Sequence, residues 1–254
     1  MGPMKLAGVV EYDGSGFSGW AAQPNRRTVE DTLSQALSTV LRQPVKLAVA
    51  GRTDAGVHAT GQVVSFSADA PLDPGEIAYK ATAVMPADLA LRRCVEAPAG
   101  FDARRWASSR SYEYRVLNAA VRAPLARGRS VYISRRLDET ALTEAADKIL
   151  GEHDFRAFTP SRTYHSYFVR RVSESRWDRE GEELVYRITA NSFLYGMVSA
   201  LIGTMLEVAD GKRSPKDFGR LLDSPEARRS SAGPSAPAHG LTLTGVGYET
   251  VPGL

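Results

Sequence analysis

The chain has 254 residues, 43% of them hydrophobic and 24% charged, which is typical of a globular protein that buries a core of its own. A single cysteine, Cys94, excludes an internal disulfide and favours a reducing, cytoplasmic setting. The histidines are scattered and no zinc-ligand spacing occurs, so we expect no zinc site. The best apolar stretch, FLYGMVSALIGTMLEV, is too short and interrupted to predict a membrane span, and the first residues read as a strand rather than a signal peptide.

Positive charge is concentrated in one part of the chain. The formal net charge is only +3, but residues 104–136 contain nine arginines and one acid, Glu113. Such an excess suits a polyanion such as nucleic acid, and a plain solvated surface is the alternative. The arginines are Arg104, Arg105, Arg110, Arg115, Arg122, Arg127, Arg129, Arg135 and Arg136.

The first half of the chain predicts the order β-α-β-β-α-β. Alternating and β-branched residues predict strands at KLAGVVEY, VKLAVA, GQVVSFS and LALRRCVEA. An apolar stripe predicts a helix at TVEDTLSQALSTVLRQ, where Thr28 is a suitable N-cap. A second helix is expected at PGEIAYKATAVM, with Pro74 at its start.

The second half repeats this order. We expect a strand at SYEYRVLN, then a helix from Asp138 to a stop at Gly151. A hairpin of YFVRRVSESRW and ELVYRITAN follows. The remaining elements are a buried helix at FLYGMVSALIGTMLEVADG, a short helix at SPKDFGRLLD and a last strand at LTLTGVGYE. The repeat predicts an α+β fold of two tandem ferredoxin-like (split βαβ) modules, with a mostly antiparallel sheet and helices on one face. We place the modules at 1–107 and 108–254.

The segment YDGSGFSGW contains G-x-G-x-x-G directly after a strand. A dinucleotide fingerprint needs a helix to begin there, and the next predicted helix begins only near Thr28. We therefore interpret the segment as a loop on a binding face. Trp20 is either a stacking surface or a core residue.

The segment AGRTDAGVHA connects two predicted strands. Residues two apart in extended backbone point the same way, so Arg52 and Asp54 are expected to face one pocket. An ionised aspartate needs no base to act as a nucleophile or proton acceptor. The alternative is a turn in which Asp54 caps backbone amides and Arg52 is a surface charge. His58 is interpreted as a structural hydrogen-bonding residue.

The strand SRSYEYRVLN alternates in character. Arg110, Tyr112 and Tyr114 share one face, an arrangement that can stack bases and hold phosphates. The alternative is two half-buried tyrosines with polar tips.

Six segments taken together and in order resemble the A-type tRNA pseudouridine synthases over nearly the whole chain. They are VVEYDGSGFSGW, AGRTDAGVHATGQVVSF, FDARRWASSRSYEYRV, ILGEHDFRAF, ITANSFLYGMVSALIGTMLEV and APAHGLTLTGVGY. The resemblance implies isomerisation of uridine to pseudouridine at positions 38, 39 and/or 40 in the tRNA anticodon stem-loop, without a cofactor. It also implies a homodimer.

The resemblance implies a role for three residues. Asp54 matches the catalytic aspartate, Tyr112 the tyrosine that stacks on the uracil, and Arg52 the arginine that helps to extrude the nucleotide. Phosphate contacts are then expected in the arginine-rich segment, from Arg104, Arg105, Arg110, Arg127 and Arg129.

The chain departs from the family pattern at two positions. The family helix usually reads Met-Val-Arg, with the arginine paired to the catalytic aspartate, whereas this chain has Ser199 at that position. Ala21 stands where the family usually has glutamine after the tryptophan. Either another cation such as Arg52 pairs with Asp54, or catalysis is weakened and the protein acts as a tRNA-binding folding helper.

Overall fold

The computed structural model describes residues 3–69, 72–161, 163 and 166–249. The ends of the predicted modules, 1–2 and 250–254, lie outside these residues. The helices and strands are β1 (Met4–Tyr12), α1 (Val29–Leu41), β2 (Ala48–Val49), β3 (His58–Ala68), α2 (Pro74–Val84), β4 (Leu89–Glu96), β5 (Ser109–Leu117), β6 (Val131–Tyr132), α3 (Glu139–Asp147), β7 (Gly151–Asp154), β8 (Val169–Glu180), β9 (Glu183–Ala190), α4 (Met197–Ala209), α5 (Pro215–Gly219) and β10 (Leu241–Gly247). The fold is mixed α+β with mostly antiparallel strand pairing.

The chain forms two compact units, Met1–Arg110 with Thr242–Leu254, and Ser111–Leu241. The first division in the chain falls between Arg110 and Ser111, and the modules at 1–107 and 108–254 remain a prediction. The units differ from the predicted modules in the C-terminal segment from Thr242, which belongs with the first unit because β10 hydrogen-bonds in parallel with β3.

In the first unit, β1 pairs antiparallel with both β3 and β4, and β2 pairs antiparallel with β3. Helix α1 begins where predicted, since the Thr28 hydroxyl accepts the Asp31 N–H. Its buried stripe includes Val29, Leu33 and Leu37. The predicted strand at 45–50 shrinks to two residues because Ser34 and Ser38 of α1 hydrogen-bond the backbone of Val45.

In the second unit, β8 pairs antiparallel with β7 and β9, forming the predicted hairpin. Helix α3 ends at Asp147, and Gly151, with φ +101°, begins the short strand β7 that the sequence did not predict. Helix α4 begins at Met197 rather than 193, because Gly196 adopts the left-handed conformation (φ +66°) just before it. The irregular loop at 230–240 packs closely on α4: a Cβ on Gly203 would lie 1.7 Å from the Pro234 carbonyl oxygen.

Candidate functional site

The loop of residues 50–57, called here the Asp54 loop, is held by side chains from outside it. The Arg110 guanidinium donates to the Ala50 carbonyl through Nε (3.2 Å) and Nη2 (2.7 Å). Gln62 Nε2 donates to the Gly51 carbonyl at 2.7 Å. The Tyr12 hydroxyl lies 2.7 Å from the Thr53 hydroxyl, and burial raises the pKa of Tyr12 to about 12, so it stays protonated at neutral pH. These contacts fix the backbone before substrate arrives.

The glycine-rich segment 13–20 packs directly against the Asp54 loop. The backbone N–H of Trp20 donates to the Thr53 carbonyl at 3.0 Å. Gly19, with φ +92°, lies so close that a Cβ there would be 3.0 Å from the Thr53 oxygen. Trp20 is fully buried beside Tyr12, so it is a core residue and not a stacking surface. The segment therefore supports the Asp54 loop, and its place on a binding face remains a prediction.

Asp54 is half-buried. Among the described residues its carboxylate has neither an ion pair nor a hydrogen bond, and burial raises the pKa of Asp54 above its ordinary value. Arg52 is exposed and likewise has no ion pair within the described chain. The two side chains therefore do not form the pair that the sequence suggested as a replacement for the missing arginine.

His58 is structural, as the sequence favoured. It is buried, and its Nδ1 accepts the Gly14 N–H at 3.1 Å. A Cβ on Gly14 would lie 2.0 Å from the Val57 oxygen, so this contact depends on glycine.

The tyrosines of β5 belong to the second unit and are both buried. Tyr112 meets the Phe193 ring edge-on, with ring centroids 5.2 Å apart. The Tyr114 hydroxyl donates to the Pro237 carbonyl at 3.1 Å, and burial raises the pKa of Tyr114. Tyr114 is a core residue, and the site role expected for Tyr112 remains a prediction.

Of the five arginines expected to bind RNA, four are exposed and one is buried. Arg104 and Arg105 are exposed at a turn in which Asp102 Oδ1 accepts both of their backbone N–H groups. Arg127 and Arg129 are exposed on either side of Gly128. Arg110 is buried and also donates to the carbonyls of Ala107 and Arg104, which corrects its assignment: the guanidinium supports the Asp54 loop rather than facing solvent.

The charge excess of segment 104–136 is smaller in the fold than in the sequence. Arg115 pairs with Glu113 and Glu183, and Arg135 pairs with Asp210. Acids from distant parts of the chain neutralise these arginines, which a count within one segment cannot reveal.

Ser199 lies in the first turn of α4, half-buried. Its carbonyl accepts the Ala236 N–H at 2.8 Å. Serine has no charge with which to pair a carboxylate.

Gln62 and Tyr12 were not singled out from the sequence. The one signal that the sequence offers is a glutamine inside the apolar run GQVVSF. In the structure Gln62 is wholly buried, and a buried amide needs hydrogen-bond partners.

No group of side chains able to hold a metal ion occurs in the described ranges. Within the same ranges, none of the helices has the length and apolar character needed to cross a membrane.

A family model described as tRNA pseudouridine synthase matches residues 9–104 and 145–249. The chain belongs to the tRNA pseudouridine synthase family. It is an enzyme of this class, whose members isomerise uridine.

Curated synthases resemble the chain over almost its full length. The tRNA pseudouridine synthase A of Geotalea uraniireducens is 39% identical over 240 residues, covering 94% of this chain and 98% of the relative. The enzymes of the same name from Halalkalibacterium halodurans and Leifsonia xyli are 38% and 40% identical, each covering 94% of this chain and 90% of the relative. A chain of a crystal structure of a Cbf5–Nop10–Gar1 complex has a TM-score of 0.38 and 13% identity, over 94% of this chain and 57% of that one.

Proposed function

We propose that this synthase isomerises uridine to pseudouridine at positions 38, 39 and/or 40 of the tRNA anticodon stem-loop, with Asp54 as the catalytic carboxylate. The observation that supports the assignment is the half-buried Asp54 carboxylate, which has a raised pKa and no partner among the described residues, in a loop fixed by Arg110, Gln62 and Tyr12. Perturbed titratable groups of this kind concentrate at functional sites.

In the proposed reaction the C1′–N1 bond of the uridine breaks, the uracil turns, and a C1′–C5 bond forms. The C5 proton leaves and N1 gains a proton, so the reaction is an isomerisation without net oxidation. Asp54 either attacks C1′ or assists departure of the base through a glycal-like intermediate. Arg52, which is exposed, would help to extrude the nucleotide, and Tyr112 would stack on the uracil.

We further propose that exposed Arg104, Arg105, Arg127 and Arg129 contact RNA phosphates and that the enzyme acts as a homodimer in the cytoplasm. We also propose that the chain consists of two modules with ferredoxin-like topology, residues 1–107 and 108–254. The strand order β4-β1-β3-β2 of the first unit supports the first module. The second would take its last strand from β10.

A second candidate, a tRNA-binding folding helper with weakened catalysis, is favoured by Ser199 and by the absence of an ion pair to Asp54 among the described residues.

Tritium release from tRNA labelled at uridine C5 separates the two. We expect release by the wild type from tRNAs with a single uridine at position 38, 39 or 40, and none by Asp54→Ala. Binding and refolding of tRNA without release by the wild type would favour the helper.

A further inference from the structure

A groove of about 400 Å³ in the first unit is formed by β1, β3, β4 and β10. Its polar and open lining consists of Arg92, Arg93, Thr60, Gly61, Thr244 and Gly245, above three valines. We call it the β4–β10 groove. Its lining residues contribute two positive charges and no acid.

A β-bulge brings both arginines to the same groove. Consecutive residues of a regular strand point to opposite faces. Here Val9 pairs with Arg93 and Val10 pairs with Leu91, so Arg92 is the extra residue of β4. A bulge of this kind re-aims a side chain, which explains how two neighbouring arginines line one groove.

At the β10 side of the groove the lining is mostly backbone, because two of the residues there are glycines. A Cβ on Gly61 would lie 2.3 Å from the Thr244 oxygen, so β3 and β10 approach here more closely than side chains would permit. A Cβ on Gly245 would meet nothing within 4 Å. A ligand can therefore come close to the backbone of β10 at Gly245, while the two arginines reach the groove from β4 on the other side of β1 and β3.

The Arg92 guanidinium makes an exposed and long ion pair. The ion pair from Arg92 Nε to Glu11 is 3.4 Å long, and the two side chains are 64% and 49% exposed. An exposed pair of this length contributes little and can be exchanged for a phosphate. Arg187 of the second unit, in contrast, is only 25% exposed and pairs with Glu113, Asp178 and Glu180.

We propose that the β4–β10 groove binds the phosphodiester backbone of the substrate RNA, with Arg92 and Arg93 as the phosphate ligands. The inference deepens the proposed function and rests on it for the identity of the polyanion. Arginine, threonine hydroxyls and close backbone are the groups that contact phosphates, and such contacts position RNA without selecting its bases.

Anisotropy of a fluorescent anticodon stem-loop RNA, titrated with protein across a KCl series, tests the proposal. Each of Arg92→Gln and Arg93→Gln is expected to reduce the slope of log Kd against log salt by about one. Arg92→Lys keeps the charge and should keep the slope. Arg176→Gln, which removes an exposed arginine paired with Glu174 and Asp178, is the matched control and should behave as wild type.

The initial rate of tritium release, measured over a series of tRNA concentrations up to saturation, provides the second readout. We expect KM to rise and kcat to stay unchanged in Arg92→Gln and Arg93→Gln. Wild-type slopes in both variants and in the double variant would overturn the groove assignment. Because anisotropy reports binding and not catalysis, the slope stands even if Asp54→Ala retains activity and the catalytic assignment fails.

Discussion

In the second unit, charged side chains of β5, β8 and β9 form a surface that we call the strand surface. The surroundings of its carboxylates are opposite to those of the Asp54 carboxylate in the first unit. The strand surface is a charge network in which hydrogen bonds from Arg187 lower the pKa of Glu180. Asp54 is half-buried without such a partner among the described residues, and its pKa is raised. The network consists of Glu113, Arg115, Glu174, Arg176, Asp178, Glu180, Glu183 and Arg187.

We interpret the network carboxylates as groups that stabilise the fold, and Asp54 as the carboxylate that is available for chemistry. A paired carboxylate has its negative charge already satisfied. An unpaired carboxylate in a fixed, partly desolvated position remains able to react with the substrate. The packing around it offsets the free-energy cost of leaving it unpaired.

The largest expected effect is on the rate of tritium release. Asp54→Asn keeps the shape of the side chain and removes its charge, so we expect the rate to fall by about 10²- to 10⁴-fold. Asp178→Asn removes a network carboxylate and should leave the rate unchanged. Equal losses in the two variants would remove the distinction between the two regions.

The next effect concerns the support of the loop. Arg110→Met removes the donor to the Ala50 carbonyl, and we expect kcat to fall about tenfold or more. Leaving buried carbonyls without a donor should also lower the free energy of unfolding by about 1–3 kcal/mol, measured by urea denaturation.

Arg176→Met is the control for Arg110→Met and should change the free energy of unfolding by less than about 1 kcal/mol, because its ion pairs are exposed. A kcat of the folded Arg110→Met enzyme equal to wild type would show that the loop does not depend on this guanidinium.

A smaller effect is expected at position 199, where the family arginine is missing. The resemblance to the family implies that an arginine at this position pairs with the catalytic aspartate, and a positive charge near a carboxylate lowers its pKa. Ser199→Arg should therefore move the acidic limb of the pH–kcat profile to lower pH, whereas Ser199→Met, of similar length without charge, should not. Identical limbs in both variants would show that residue 199 does not act on Asp54.

The smallest expected effects are on stability, and they have opposite signs in the two regions. Asp54 has a raised pKa in the fold, so its contribution is favourable below its unfolded pKa and is lost as the pH rises through the folded value. Asp54→Asn should therefore increase the free energy of unfolding at neutral pH, and the gain should vanish in acid.

Glu180 has a lowered pKa, so its contribution is present at neutral pH and is lost as the pH falls through the folded value. Glu180→Gln should therefore slightly decrease stability at neutral pH. Urea unfolding at about pH 4 and about pH 7 measures both variants, and the same sign for both would contradict the comparison.

The sequence predicted most elements because their signals are local. The Thr28 cap, the stripe of α1 and the β8–β9 hairpin each depend on neighbouring residues, and all three were confirmed. The short strand β2 was overestimated because hydrogen bonds from α1 hold Val45, a contact between elements.

The residues of the candidate site were only partly predictable. Asp54 and Arg52 stand out in a distinctive motif, but Arg110 looked like one more surface arginine because its three carbonyl acceptors depend on tertiary packing. Arg92 and Arg93 were missed as ligands of one groove because a bulge changes the side-chain alternation on which strand reasoning depends.

We infer that the ionised carboxylate of Asp54 performs the chemistry. The most direct measurement is the single-turnover rate of tritium release by the wild-type enzyme across the acidic pH range. The account predicts that the rate falls on acidification with one apparent pKa above the ordinary aspartate value, because burial raises the pKa of Asp54. A rate that stays constant as the pH falls through that range, in an enzyme that remains folded, would contradict it.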